Sequence, residues 1–380
     1  MTVKELTLFN YRNIPYAKIP FKEGMNFLLG ENAQGKTNAL EAIYLFSRGK
    51  SFRGANDNEL LSYGEDAFSL SLSFTKRDRE ETLFYGYGKK EKAERVRKRN
   101  GILLNSQSEL LGSFRAVLFS PDHLQMVKGS PSERRSFLNI AAAGAYPVYL
   151  SLYARYARIL EQRNALLKDI QKSGRKIDEL SVWNEKIADA AAEIYLYRKE
   201  YIERLNIAAS SFIKEISDEK ETLSLIYQSD ISDFEGIEDK KSAAFAYLRV
   251  FSSQTEKEIA LGTSQSGVHR DDILMLLNGK SARDFASQGQ QRSIVLAMKM
   301  AEGDIIRQIS AEEPVYLFDD VLSELDEGRR KFLLSGRGEA QFIVTGCEKS
   351  ILGEYADGVN FIKVENGAFY SGEKNAKRFS

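Results

Sequence analysis

The run Gly30-Glu-Asn-Ala-Gln-Gly35-Lys36-Thr37 constrains this chain more than any other feature, because it fits the pattern G-x-x-x-x-G-K-[ST] throughout. A loop of this kind acts through its backbone. Its N–H groups converge on phosphate oxygens, the lysine reaches the β- and γ-phosphates, and the threonine hydroxyl faces Mg²⁺. The glycines let the backbone approach an anion closely, and the following helix adds positive potential at its N-terminus. The flanking residues supply the context such a loop needs. Met25 to Leu29 reads as a strand, and Leu40, Ile43, Tyr44 and Leu45 fall on one face of a helix running to about Phe46. Gly30, Glu31, Asn32, Ala33, Gln34, Gly35, Lys36, Thr37 and Asn38 are therefore the candidate phosphate-binding residues.

The other half of such a site stands far along the chain. Val315-Tyr-Leu-Phe-Asp319-Asp320 is an apolar strand ending in two carboxylates. Asp319 is placed to hold Mg²⁺ with Thr37, and Asp320 to orient or deprotonate an attacking water. About 290 residues separate Gly30 from Asp319, so something large is inserted between the two halves. Ahead of the strand, Ala286-Ser287-Gln288-Gly289-Gln290-Gln291-Arg292 opens an amphipathic helix expected over 290–309. A hydroxyl residue and a glycine at a helix N-terminus form a further anion nest. One triphosphate seldom needs two nests in one chain. Two copies placed head to tail would use both, each lending Ser287 to the other's γ-phosphate. Taken alone, Ser287 also fits an ordinary N-cap, but its place between the two nucleotide motifs favours the nucleotide reading.

Elsewhere, Val3 to Phe9 and Ala17 to Phe21 read as strands. Phe68, Leu70, Leu72 and Phe74 alternate with polar or small residues, and Leu83, Tyr85 and Tyr87 continue the style, so 53–120 is expected to be mostly antiparallel strands. From Ser132 to about Ser217 the period is helical, broken at Ser173-Gly174. This predicts an antiparallel pair of helices of about 25–35 residues each, either projecting or packed on the body. Asp230 to Asp239 reads as an acidic connection, and Val359 to Phe369 as a hairpin turning at Glu365-Asn366-Gly367. One cysteine, Cys347, excludes an internal disulfide and a cysteine-rich zinc site. No apolar run approaches the ~18 residues that span a bilayer, and the start lacks a signal peptide's apolar core. The expectation is a soluble, cytoplasmic protein with no membrane partner.

Taken in order, the phosphate loop, the Ser287-Gln-Gly289-Gln290 motif, the Asp319-Asp320 strand and Ser323-Glu-Leu-Asp326 resemble the ABC-type heads of SMC-like ATPases. More narrowly the chain resembles the RecF family, through Phe9-Asn-Tyr-Arg12-Asn13, Phe119-Ser-Pro-Asp-His-Leu124, Lys128-Gly-Ser-Pro, Arg134-Arg135 and Gly267-Val-His269-Arg270-Asp271-Asp272. The resemblance implies an α/β fold: an ABC-type P-loop ATPase head with an antiparallel β lobe and an inserted helical, short antiparallel coiled-coil-like subdomain. The implied division is 1–131 for the N-terminal part of the head, with phosphate loop and β lobe. Residues 132–260 would form the helical insertion, and 261–380 the C-terminal part with signature motif, Asp-Asp strand and D-loop.

The resemblance further implies an ATP-dependent DNA-binding protein of recombinational repair and replication, and a weak, DNA-stimulated ATPase with ATP and Mg²⁺ as cofactors. ATP would drive a head-to-tail homodimer onto DNA and slow hydrolysis would release it, supporting RecA loading and the SOS response with RecR and RecO. Carried over residue by residue, Lys36, Asp319 and Asp320 are catalytic, and Thr37 and Asp319 hold the metal. Arg12, Asn13, the loop residues 30–38, Ser287, Gly289, Gln290 and Asp326 bind nucleotide or complete its site across the dimer. Two departures stand out. Thr345 occupies the place of the transporters' histidine, and Pro121-Asp122 that of the glutamine loop; both imply weak turnover and leave the γ-phosphate sensor open.

The chain carries 54 basic and 54 acidic side chains, a formal net charge of zero, so any contact with DNA must come from local patches. Lys89 to Arg99 holds seven basic and two acidic residues, with Lys89, Lys90, Arg95, Arg97 and Arg99 as candidate phosphate contacts. Arg155 to Lys176 holds the same numbers, with Arg155 and Arg158 as candidates and Arg163 among the rest. The first run reads equally well as a solvated hairpin partly paired with Glu91 and Glu94. The DNA expected is double-stranded or a gapped, single-stranded junction. On the residues alone two other classes stay open: the nucleotide-binding subunit of an ABC transporter, and a small-molecule kinase. His123 and His269 read as structural groups rather than general bases.

Overall fold

The computed structural model describes residues 1–89, 93–175, 177–232, 234, 236–334 and 340–371. It divides into two compact units, Met1–His123 with Leu296–Ser380, and Leu124–Val295. In the first, β1 (Thr2–Tyr11), β2 (Ile14–Pro20) and β3 (Met25–Leu29) lead into α1 (Lys36–Arg48), followed by the single-turn α2 (Asp57–Leu60). Then come β4 (Ala67–Lys76), β5 (Arg79–Gly88), β6 (Glu94–Arg99), β7 (Ile102–Leu103), α3 (Gln107–Leu110) and β8 (Ala116–Phe119). The second unit contains α4 (Gln125–Lys128), α5 (Pro131–Ala145), α6 (Tyr149–Ser173), α7 (Glu179–Ile216), β9 (Leu223–Gln228), α8 (Lys240–Leu261), β10 (Asp272–Leu277), β11 (Lys280–Ser281) and α9 (Ala282–Phe285). Helix α10 (Gln288–Ser310) starts there and continues into the first unit. That unit is completed by β12 (Val315–Phe318), α11 (Glu327–Leu334), β13 (Phe342–Gly346), β14 (Asn360–Glu365) and β15 (Ala368–Ser371).

Among the described residues, two sheets build the first unit. The antiparallel one runs β2-β1-β4-β5-β6-β7, and the alternating Phe68, Leu70, Leu72 and Phe74 of β4 all face its core. The other runs β15-β14-β3-β13-β12-β8, parallel except for β15. Every residue of β8, β12 and β13 is buried, which is why β8, β12 and the first three residues of β13 are continuous apolar runs and not alternating ones. Helix α1 shares one core with both sheets, through Leu40 and Ile43 with Leu8, Tyr11, Leu317 and Ile343. The order β3-β13-β12 matters most for function. It brings the strand feeding the phosphate loop and the strand feeding Asp319 out at one edge, with a single strand between them.

In the second unit α6 has 25 residues and α7 has 38, turning at Gly174, whose φ of 66° is a left-handed C-cap. Leu166, Leu167 and Ile170 of α6 pack against Leu180 of α7, joined by Trp183 and Ile259. The helical pair is not bare: α8 packs on both, and α7 also covers β9 of the small sheet β11-β10-β9. Residues 261–295, grouped by resemblance with the C-terminal part of a head, pack inside this unit, where β10 pairs with β9. Among the described residues, no helix is long and apolar enough to cross a membrane.

Candidate nucleotide site

The loop between β3 and α1 is held open by glycines at two places. A Cβ on Gly30 would lie 2.3 Å from the Val364 carbonyl, and Gly35 has a φ of 114°. The buried Lys36 ammonium curls into the loop, donating to the Gly30 carbonyl at 2.6 Å and the Glu31 carbonyl at 2.9 Å. Thr37 Oγ1 donates to Asp319 Oδ1 at 2.8 Å, closing the two halves of the site on each other. Asp319 is buried, and burial pushes its carboxyl above the usual range; Thr37 and Thr345 pull it back, while neighbouring Asp320 adds to the rise. Asp320 sits at φ 53°, in the left-handed region, with its N–H donated to Thr345 Oγ1 at 2.9 Å. Lys36, Thr37, Asp319 and Asp320 border a cavity of about 520 Å³, shared with Asn13 and Asp122. The Thr37 hydroxyl and Asp319 carboxylate are hard oxygen donors of the kind Mg²⁺ takes when phosphates and water fill its remaining positions. No cluster of three or more His, Cys, Asp or Glu among the described residues offers an all-protein cage.

The other loop candidates have definite partners. Asn13 donates to the Ala33 carbonyl at 3.2 Å and accepts from Asn38 Nδ2 at 2.8 Å. Cys347 Sγ donates to Asn32 Oδ1 at 3.3 Å and accepts from Lys36 Nζ at 3.5 Å. Arg12 turns to α1, making a two-pronged contact with Glu41 at 2.9 and 2.7 Å. Gln34 is clasped by the β14–β15 turn: Asn366 N–H donates to its side-chain oxygen at 2.5 Å and Gly367 N–H to its carbonyl at 3.0 Å. The Asn-Gly pair predicts that hairpin, but nothing in its composition says that the turn grips the phosphate loop. Thr345 stands out in the sequence only as the residue in the place of the transporters' histidine; that it meets Asp319 and the Asp320 N–H is not readable from it.

Ser287, Gly289 and Gln290 belong to the second unit. Ser287 is exposed and reciprocally capped, accepting from Gln290 N–H at 3.3 Å and donating its own N–H to Gln290 Oε1 at 2.8 Å. Asp326, in the first unit, caps α11 by accepting the Arg329 N–H at 2.9 Å.

The basic runs divide. Lys90, with Glu91, Lys92 and Lys176, lies outside the described residues. Lys89, Arg155 and Arg158 are exposed, with Arg155 3.3 Å from Asp189. Arg95, Arg97 and Arg99 stand opposite Tyr87, Tyr85 and Leu83, so all three point to one face of the sheet. Arg95 pairs with Asp57 at 2.6 Å, Arg99 with Glu81 at 2.9 Å, and Arg97 lies over the Tyr85 ring. Arg163 corrects the expectation of a uniformly basic surface on its helix. It is fully buried, bound to Glu258 at 2.6 Å, to Asn184 and to Ser264, and ties α6 to α7 and α8.

The chain matches the family described as RecF/RecN/SMC N terminal domain over residues 2–369. It is 36% identical over 370 residues to the DNA replication and repair protein RecF of Thermoanaerobacter pseudethanolicus, covering 97% of this chain and 99% of that one. Among solved structures it is similar to the recombination mediator protein RecF-ATPrS in the RecFOR pathway, with a TM-score of 0.90, 33% identity and 97% of each chain covered. The Smc head domain of Pyrococcus furiosus shares the fold at a TM-score of 0.56 and 18% identity, over 98% of this chain and 96% of that one.

Proposed function

The chain belongs to the RecF family, and on that premise we propose that it is an ATP-dependent DNA-binding protein of recombinational repair and replication. The observation that carries the nucleotide chemistry is the 2.8 Å bond from Thr37 to Asp319, which joins a complete phosphate loop to the Asp-Asp strand. In the proposed site, backbone N–H groups of 30–38 bind the phosphates of ATP and Lys36 turns from its loop carbonyls to the β- and γ-phosphates. Thr37 and Asp319 would hold Mg²⁺, which neutralises developing charge on the phosphate oxygens when bound. Asp320 orients or deprotonates the attacking water, giving ADP and phosphate. Ser287, Gly289 and Gln290 of a second copy complete the site with Asp326, so ATP drives a head-to-tail dimer and slow, DNA-stimulated hydrolysis releases it. Arg12 and Asn13 support the loop from the turn between β1 and β2.

DNA held by backbone contact, through Arg155 and Arg158 with Lys89 and the β6 arginines, would bind with steep salt dependence. By likeness to proteins of the RecFOR pathway, RecR and RecO are the proposed partners, RecA loading and the SOS response the setting, and the cytoplasm the place. The transporter reading has no support in relatives that cover 97% of the chain as DNA replication and repair proteins. The test is ATP binding and phosphate release with and without double-stranded DNA, in wild type and Lys36→Ala. The expected result is binding and DNA-stimulated turnover in the first and neither in the second; equal ATP affinity in both would remove the assigned site.

A further inference from the structure

The strand between the two halves of the site ends in Thr345, and its register explains what the side chain meets. Phe318 pairs with Val344 in the parallel ladder, which places Asp319 beside Thr345 at the next step. On the other side of β13, Gly346 pairs with Leu29 and its carbonyl accepts the Gly30 N–H at 3.2 Å. Thr345 is 1% exposed. Its hydroxyl lies 3.1 Å from Asp319 Oδ1 and 3.4 Å from the Phe318 carbonyl, the nearer acceptor being the carboxylate, and it accepts the Asp320 N–H at 2.9 Å.

Resting on the ATPase reading above, we propose that Thr345 is the positioning residue that couples the metal-binding carboxylate to the water-orienting one. Three features argue for it. Asp319 Oδ1 receives two hydroxyls, from Thr37 and from Thr345, and only the Thr37 hydroxyl is among the proposed metal ligands. Thr345 is thus the partner that keeps Asp319 oriented whatever Thr37 binds. Asp320 holds a left-handed backbone, costly for a residue with a Cβ, and its N–H has the Thr345 oxygen as acceptor. A hydroxyl is also the smallest group that donates to one carboxylate while accepting from the next residue's amide. Valine has the same shape and does neither; serine does both.

The experiment compares Thr345→Val and Thr345→Ser with wild type in two readouts: Mg²⁺ titration of fluorescent-ATP binding, and kcat against KM for ATP. Loss of a group that orients a ligand carboxylate should raise the half-saturating Mg²⁺ about tenfold or more and lower kcat by a similar factor, with KM for ATP nearly unchanged. Serine should restore both to within about threefold of wild type. Thr345→Ala reads the same quantities should the valine variant fold poorly. A valine or alanine variant with wild-type Mg²⁺ dependence and kcat, while Lys36→Ala abolishes ATP binding, overturns the role of Thr345 alone. ATP binding that survives Lys36→Ala overturns the ATPase reading beneath it.

Discussion

Glu41, on the face of α1 turned inward, has no solvent exposure, and its charge is met by Arg12 at 2.7 Å and by the Ser51 hydroxyl at 2.5 Å. Removing the guanidinium leaves a buried carboxylate half-paired, so Arg12→Ala should cost about 3 kcal/mol in denaturant unfolding. Lysine at this position should recover only part of that, since it lacks the two-pronged fork. A surface arginine contacting nucleotide alone would give almost no stability change, so the measurement separates support of the loop from direct contact. Asp320→Asn should keep ATP binding while slowing phosphate release; unchanged turnover removes Asp320 from water activation. The phosphate loop and Asp319 were legible because their chemistry demands particular residues at fixed spacing. Arg12 was legible as a motif residue but not as the partner of Glu41, which lies 29 positions away in the chain. Thr345 was legible only as the residue in the place of the transporters' histidine; its contacts with Asp319 and Asp320 come from strand order and not from local sequence.

Among the elements, the β14–β15 hairpin does the least expected work. Gly367 has a φ of 77°, and a Cβ there would lie 2.4 Å from the Asn13 carbonyl. Gly367→Ala should therefore push the turn off Asn13 and Gln34, weakening ATP binding several-fold in a fluorescence titration with little change in the far-UV spectrum. An unchanged affinity would mean the clasp is not needed to shape the loop. The hairpin was legible from its Asn-Gly turn, and α6 and α7 from their apolar spacing. Helix α8 had no comparable stripe: its buried residues are few and include Glu258, paired with Arg163. The basic runs show the same limit from the other side. A count of charges cannot tell which face of a strand they occupy, and on β6 the pleat turns Arg95, Arg97 and Arg99 together over tyrosines and acids. On α6 the consequence is testable. Arg158→Ala should reduce the salt slope of DNA binding by about 1, whereas Arg163→Ala should chiefly destabilise the fold, by about 3 kcal/mol.

For the whole molecule, the two histidines set a limit at acid pH. His123 accepts the Ser120 N–H at 2.9 Å and burial holds it well below the ordinary imidazole range. His269 lies 2.7 Å from the Tyr156 hydroxyl, and burial pushes it down to about 4. Each stays neutral in the fold but takes a proton once unfolded below about pH 6.5, so stability is full above that pH and falls as pH drops toward 4. The loss should reach about 1.4 kcal/mol per pH unit for each histidine, and His269→Gln should flatten the slope in urea unfolding. Zero net charge fits the same scale. A monomer with 54 charges of each sign has no overall pull on DNA, so affinity must come from arranging local patches; in the proposed nucleotide-driven dimer that arrangement is under the control of ATP. Sedimentation velocity on wild type and Ser287→Arg, with ATP and Mg²⁺ and with or without a short duplex, tests that control directly. The wild type should be monomeric without nucleotide and dimeric with ATP, most completely on DNA, while Ser287→Arg binds ATP and stays monomeric. A wild type that remains monomeric with ATP and DNA together, or an arginine variant that dimerises as readily, would contradict it.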